Sequence, residues 1–274
     1  MKILANDGLS EKAIKTLEGA GFEVLTTKVA QNQLAPFINE EQIDILLVRS
    51  ATQAKRDLID ACPALKLIGR GGVGMDNIDV VYAQEKGIKV INTPNASSHS
   101  VAELTFAHLF SGVRFLYDAN RNMPLEGDTR FNELKKDYAN GHELKGKTLG
   151  IIGLGRIGRA VATIALGLGM KVIAYDPEQQ EATITLSFFD GRSLDFVIKT
   201  ISKKEVLEEA DFITLHIPAQ KEAVIGEKEF QQMKDGVGIV NVARGGVIDE
   251  EALLHALEHE KVAFAGLDVF EGEP

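Results

Sequence analysis

The 274-residue sequence has a single cysteine, Cys62. One thiol can neither close an internal disulfide nor supply a cysteine-rich zinc site. Long apolar runs are missing too: stretches such as Gly150 to Gly155 fall far short of the roughly 18 residues a membrane span requires. Met1-Lys2-Ile3-Leu4 leads directly into a strand-like segment, without the h-region and small-residue cleavage site of a signal peptide. Positive charge is the minority sign, 30 Lys+Arg against 40 Asp+Glu for a formal net charge of −10, and no basic run or basic helix face stands out. Binders of phosphate backbones normally present such a patch, so nucleic acid is not an expected partner. No low-complexity tract or short-period repeat interrupts the chain. What is present is 45% apolar and 26% charged, the composition of an ordinary soluble protein, and a cytoplasmic location is expected. At roughly 150 residues per domain, the length predicts about two domains.

Glycine and proline punctuate an alternation of short β-rich runs with amphipathic stretches, which predicts parallel sheets covered by helices. In the first third the expected strands are Lys2–Asn6, Glu23–Thr26, Ile43–Val48, Lys66–Ile68 and Lys89–Asn92. Ser10–Gly19 reads as a helix with Ser10 as N-cap and Gly21 as a stop. This α/β unit is expected to close near Thr93-Pro94-Asn95, at about residue 97. A longer helix is predicted from Ser98 or Ser100 towards Asp118, followed by an irregular polar connection from Met123 to Lys147. The alternation then resumes with strands at Thr148–Ile152, Lys171–Tyr175, Phe212–His216, Gly238–Val242 and Phe264–Val269, and helices at about 156–168, 227–233 and 250–258. The fold class is therefore α/β, with two tandem parallel-sheet domains covering residues 1–97 and 98–274.

The strongest local signal is Gly153-Leu154-Gly155-Arg156-Ile157-Gly158, fed by the strand Leu149-Gly150-Ile151-Ile152 and opening a helix. Alone, G-x-G-x-x-G is weak; in this context each part has a task. Gly153 permits the tight turn, Gly155 lets backbone approach a pyrophosphate, and Gly158 allows close helix–strand packing. Amides at the helix start, Arg156 and Ile157, face the phosphates at the positive end of the helix dipole. The next strand ends at Asp176, 18 residues beyond Gly158. A carboxylate there accepts ribose hydroxyls and repels a 2′-phosphate, and Pro177-Glu178 supplies no offsetting arginine, so NAD is favoured over NADP. The competing reading is a glycine turn with an aspartate that caps a loop.

Segments spread over nearly the whole chain resemble the D-isomer-specific 2-hydroxyacid dehydrogenases. They are Val48-Arg49-Ser50-Ala51-Thr52, Gly69 to Asp79, Asn92-Thr93-Pro94-Asn95, Ser100-Val101-Ala102-Glu103 and the glycine motif. Further on come Leu215-His216-Ile217-Pro218, Asn241 to Glu250, and Gly266 to Pro274. The resemblance implies a Rossmann domain for NAD and a first, flavodoxin-like substrate-binding (lid) domain. It implies hydride transfer between nicotinamide C4 and C2 of a small D-2-hydroxy acid in an interdomain cleft that closes. Arg244 would hold carboxylate and carbonyl oxygens and steady developing negative charge, and Glu273 would brace a catalytic histidine. Val73, His216, Ile217, Pro218, Ala243 and Asp268 would line the cofactor, with His216 structural rather than a proton carrier. Arg49, Ser50, Gly72, Val73 and Gly74 would face the substrate with Arg244, backbone amides cradling an anionic group. Asn77 would brace that loop, while Arg70 could be either a substrate-side residue or a solvated one. Lys135 and Lys136 read as a solvated pair, and His255 and His259, at i, i+4, as a solvated helix face. A homodimer through the second domain is also implied.

The strings Arg-Ser-Ala-Thr and Gly-Val-Gly-x-Asp-Asn point within the family to oxidation of 3-phosphoglycerate to 3-phosphohydroxypyruvate, as in serine biosynthesis. Glyoxylate, hydroxypyruvate and other 2-keto acids are the rivals, since the same groups serve them all. A rival of another class is an NAD-sensing binding protein on a dehydrogenase scaffold; a third is a structural fragment. Two departures from the family pattern stand out. The catalytic histidine belongs to a Pro-His-x-Gly-type segment beyond Glu273, and none of the six histidines present replaces it by position. The chain is therefore expected to be a fragment with negligible turnover, its first domain left incomplete. The link Glu178 to Glu209 is longer than usual, and Ile184–Phe188 and Leu194–Ile198 around Asp190-Gly191 predict an added hairpin. Its aromatics are expected to cover the domain's own surface, the alternative being a subunit contact.

Overall fold

Apolar runs of four or five residues flanked by turn residues become strands, and the stretches between them become crossovers. The computed structural model describes residues 1–272, which fall into two compact units, Met1–Ser97 and Ser98 onward. The first unit runs β1 (Lys2–Ala5), α1 (Glu11–Gly19), β2 (Glu23–Leu25), α2 (Leu34–Glu40), β3 (Ile45–Val48), α3 (Arg56–Ala61), β4 (Leu67–Arg70), α4 (Val80–Glu85) and β5 (Lys89–Asn92). Ser10 caps α1, its hydroxyl accepting the Ala13 amide at 3.3 Å, and Gly21 follows with φ +86°. All strand pairs are parallel in the order β2-β1-β3-β4-β5, the flavodoxin-like arrangement, whose switch point lies between β1 and β3. Leu4, Leu46 and Ile68 on one sheet face are fully buried against Leu34 and Ile38 of α2.

The second unit begins with α5 (Ser98–Val113), α6 (Leu116–Glu126) and α7 (Phe131–Asp137). The single helix expected towards Asp118 is thus two. It breaks at Phe115, whose φ of +53° is left-handed. That conformation costs a non-glycine residue about 1–2 kcal/mol; the Phe115 ring packs 6.2 Å from that of Tyr138, which offsets part of it. The expected irregular connection from Met123 to Lys147 is also corrected, because α6 reaches Glu126, α7 follows, and a 3₁₀ turn covers Tyr138–Asn140. Leu134 alone is buried on α7, so no apolar stripe marked the helix in the sequence.

A Rossmann sheet follows: β6 (Thr148–Ile152), α8 (Arg156–Gly167), β7 (Lys171–Tyr175), β8 (Glu181–Ser187), β9 (Ser193–Lys199), α9 (Lys203–Glu209), β10 (Phe212–Leu215), α10 (Glu227–Gln232), β11 (Val237–Asn241), α11 (Glu250–Glu258) and β12 (Val262–Leu267). The five main strands are parallel in the order β12-β11-β10-β6-β7, so chain order reverses between β6 and β10. β8 and β9 form the antiparallel hairpin beside β7, joined to it by a parallel bridge between Ala174 and Thr200. Their aliphatic residues Ala182, Ile184 and Ile198 are buried in the core that contains α8. The aromatics do not cover the unit: Phe188, Phe189 and Phe196 are all exposed. Position along the hairpin explains this, since the residues nearest its base reach the core and those towards its tip overrun it. α9, not anticipated, is announced by Ser202 and Glu205, which form a reciprocal capping box. Among the described residues, no helix is long and apolar enough to cross a membrane.

Candidate functional site

In a parallel sheet every strand ends on the same side, so residues just past the strand ends form one rim. In the second unit the motif residues do so. The turn 153–158 follows β6, Asp176 follows β7, His216-Ile217-Pro218 follow β10, Ala243 and Arg244 lie just beyond β11, and Asp268 follows β12.

Each glycine of the turn has a different reason to be there. Gly153 has φ +99°, and a methyl group on it would sit 2.5 Å from the His216 carbonyl oxygen and 2.9 Å from Ile217 Cγ2. A methyl group on Gly158 would collide with the Gly153 carbonyl, so α8 lies directly on the turn. Gly155 is different: nothing lies within 4 Å of where its side chain would point. It is also the N-cap of α8 and provides no side-chain cap. An open position beside an uncapped helix start fits a diphosphate, whose oxygens would meet the first amides of a 12-residue helix.

Asp176 has two tasks. Its Oδ2 accepts the Leu154 amide at 2.8 Å, which fixes the turn, while Oδ1 accepts the amides of Glu178 and Gln179 at 2.9 and 3.1 Å. A carboxylate has about four acceptor sites, so three such bonds leave capacity for a ribose hydroxyl. The loop-capping and ribose-binding readings of Asp176 are compatible.

His216 is half-buried, with its ring Nδ1 shut off from solvent. Its Nε2 lies 3.0 Å from Thr214 Oγ1 and its Nδ1 has no partner. Burial holds the imidazole pKa down at about 3, so the ring is neutral and cannot serve as a proton carrier near neutral pH. Arg244 is half-buried, with Nη1 donating to the Ala243 carbonyl at 2.6 Å. Its loop is tied by a residue that sequence reasoning did not single out, Asn241. The Asn241 amide nitrogen donates to the Arg244 carbonyl at 2.9 Å, and its Oδ1 accepts the Ala243 amide at 3.0 Å. The signal was an asparagine at a strand end two residues before Ala243, a self-bonding turn. Asp268 is exposed and its amide donates to the Asn241 carbonyl at 3.0 Å. Glu273 lies outside the described residues.

In the first unit, Arg49 and Ser50 follow β3, and Gly72, Val73 and Gly74 follow β4. Asp7 clamps the 49–52 loop, accepting the Arg49 amide at 2.6 Å and the Thr52 hydroxyl at 2.7 Å. Asn77 donates to the carbonyls of Arg49 and Thr52 at 2.8 and 2.7 Å. Arg70 is no free loop cation: it donates to the carbonyls of Arg49, at 3.2 Å, and Gly74. Asn92 donates to the Val73 carbonyl at 2.7 Å, and the Thr93 amide to that of Gly72 at 3.2 Å. A pocket of about 580 Å³ lies here, lined by Asp7, Arg49, Arg70, Gly71, Asn92 and Thr93 among others.

Elsewhere, Lys135 and Lys136 lie exposed on α7. His255 on α11 and His259 at its C-cap hold their rings 4.1 Å apart and tilted, and among the described residues no group of three or more His, Cys, Asp or Glu could hold a metal ion. Cys62 is buried, which pushes its thiol up to about 11 and leaves it unreactive.

A Rossmann sheet with an open, uncapped glycine turn and a strand-end carboxylate defines a dinucleotide-binding protein. Comparison with known proteins narrows the class. Residues 106–274 match the family described as D-isomer specific 2-hydroxyacid dehydrogenase, NAD binding domain. The chain is 44% identical over 276 residues to a hydroxypyruvate reductase of Thermotoga maritima, covering all of this chain and 84% of that protein. It is 43% identical to a D-3-phosphoglycerate dehydrogenase of Methanocaldococcus jannaschii, of which it spans 50%. A glyoxylate reductase from Paecilomyes thermophila superposes with a TM-score of 0.79 at 32% identity, over all of this chain and 82% of that one. The chain belongs to the D-isomer-specific 2-hydroxyacid dehydrogenase family, and its second unit is the family's NAD-binding domain.

Proposed function

We propose that this protein oxidises or reduces a small D-2-hydroxy acid at C2 with NAD, and that 3-phosphoglycerate, giving 3-phosphohydroxypyruvate, is its substrate. Bound NAD⁺ would accept the hydride at nicotinamide C4, and the hydroxyl proton would leave to a base. The protein's own contributions divide as follows. Gly153, Gly155, Arg156, Ile157 and Gly158 receive the diphosphate, and Asp176 the adenosine ribose. His216, Ile217, Pro218, Ala243, Asp268 and Val73 line the cofactor. Arg244 holds the carboxylate and opposes the charge developing on the C2 oxygen. Glu273 orients the base. Arg49, Ser50, Gly72, Val73 and Gly74 supply further donors for anionic groups of the substrate, in a unit devoted to substrate. The observation that carries the reading is Arg244, whose backbone Asn241 fixes just past β11 on the rim that holds the open glycine turn.

The phosphorylated substrate is supported by the Arg49-Ser50-Ala51-Thr52 and Gly72-Val73-Gly74 loops and by the phosphoglycerate dehydrogenase relative, of which this chain covers half. The rival, reduction of hydroxypyruvate or glyoxylate, is favoured by the relative at 44% identity. Comparing kcat/KM for 3-phosphohydroxypyruvate, hydroxypyruvate and glyoxylate, in a version of the protein that carries the Pro-His-x-Gly-type segment, separates them. A preference for the phosphorylated acid is expected; equal values for all three would remove 3-phosphoglycerate. NAD-dependent capture of a partner without turnover of any of them would favour a sensing role instead. We also place the protein in the cytoplasm, as a homodimer joined through its second unit.

A further inference from the structure

Among the described residues β8 pairs only with β9, and β9 is followed by the bridge to β7, so β8 is an edge strand. The Phe188 amide donates to the Arg192 carbonyl at 2.8 Å, which fixes the alternation of the hairpin. Ala182, Ile184 and Leu186 turn their backbone groups towards β9, leaving those of Thr183, Thr185 and Ser187 directed outward. Exposed edges of this kind normally carry lysine, proline or a bulge that discourages pairing with another chain. The strand Glu-Ala-Thr-Ile-Thr-Leu-Ser has none of them. It runs in unbroken register over its 7 residues, and its one charge sits at its first position. The apolar face is buried only near the base: towards the tip Leu194 is 56% exposed, Phe196 39% and Phe188 46%.

We propose that β8 pairs antiparallel with β8 of a second copy about a two-fold axis at Thr185, giving a four-stranded sheet across the interface. In this register Thr183 lies opposite the partner's Ser187, and the outward amides and carbonyls of Thr183, Thr185 and Ser187 are all satisfied. No two like charges face each other. Leu194, Phe196 and Leu186 continue into the same face of the other copy, extending the apolar surface that one hairpin leaves open. A second copy fits better than an unlike chain because the strand is complementary to itself in this register, and an isologous contact closes. The contact is separate from any pairing through other parts of the second unit, and it is independent of the reaction assigned above.

The double variants T183K/S187K and T183E/S187E place like charges opposite each other across the axis while leaving the residues against α8 untouched. Light scattering after size exclusion should give each variant half the mass of the unaltered protein, with unchanged far-ultraviolet circular dichroism. An equimolar mixture of the two should regain the full mass, since each lysine then meets a glutamate. Equal masses for all three proteins, or a mixture that stays at half mass, would overturn the proposal. Amide hydrogen exchange of the unaltered protein gives an answer even if the variants misfold. Protection at Thr183, Thr185 and Ser187 that disappears on dilution supports the pairing; exchange independent of concentration contradicts it.

Discussion

Gly155 and Gly158 stand three residues apart in one motif, yet they do different work. A side chain at Gly155 meets nothing in the protein, whereas one at Gly158 runs into the Gly153 carbonyl. Gly155→Val should therefore leave the thermal midpoint unchanged while weakening NAD binding at least about tenfold, a loss of roughly 1.4 kcal/mol of affinity. Gly158→Ala should instead destabilise by about 1–3 kcal/mol through overpacking and lower the midpoint itself. Calorimetric titration beside a melting curve separates the two, and a lower midpoint for Gly155→Val would show that the turn is closed to ligand. His216 adds a pH dependence. Its folded pKa of about 3 lies below the ordinary 6.5, so below pH 6.5 the unfolded chain holds a proton that the folded one refuses. The stability tied to its neutral ring is fully present above that pH and is lost on acidification between the two values, at up to about 1.4 kcal/mol per pH unit. Urea midpoints of His216→Gln should fall less steeply with acid than those of the unaltered protein. Parallel slopes would mean that the imidazole is not the group responsible.

At the scale of elements, the hairpin and its sequel change the most. β8 and β9 stand beside β7 where a doubly wound sheet would otherwise continue, and α9 then returns the chain to β10. The return depends on the Ser202–Glu205 box, in which the Ser202 hydroxyl accepts the Glu205 amide at 3.2 Å and Glu205 Oε2 accepts the Ser202 amide at 2.9 Å. Ser202→Ala should cost about 1 kcal/mol, read as a small drop in midpoint with NAD affinity retained, because the Ser202 hydroxyl bonds only within its own helix start. At the other end of the unit, Phe115 divides what reads as one long helix. A left-handed phenylalanine has no signature in the apolar period, and the polar surfaces of α6 and α7 conceal the helices that follow.

Across the whole molecule, two compact units should unfold as separate cooperative blocks, so one stability value does not describe the chain. NAD is expected to act on one of them. At about 100 times its dissociation constant a ligand adds about 2.7 kcal/mol to the state that binds it. Differential scanning calorimetry with saturating NAD should move the transition of the second unit upward and leave that of the first in place. A shift of the first transition alone would contradict the assignment of the cofactor to the glycine turn.

Read from the residues alone, the chain announced most of its design. Alternating apolar runs are local signals, so the strands Lys89–Asn92, Thr148–Ile152 and Lys171–Tyr175 appear where the sequence placed them, and the others within a few residues. The glycine spacing and the strand-end Asp176 are likewise short-range patterns, and with the matching segments they were enough to indicate the family. Other features depended on distant partners. Asp176 spends three acceptor sites on its own loops, Asn241 fixes the backbone at Arg244, and Asp7, Asn77 and Arg70 clamp the 49–52 loop, none of which follows from sequence spacing. The neutral state of His216 and the outward-facing aromatics of the hairpin were also decided only in three dimensions. A side chain's protonation and exposure depend on which atoms the folded chain brings against it, and those atoms come from other elements.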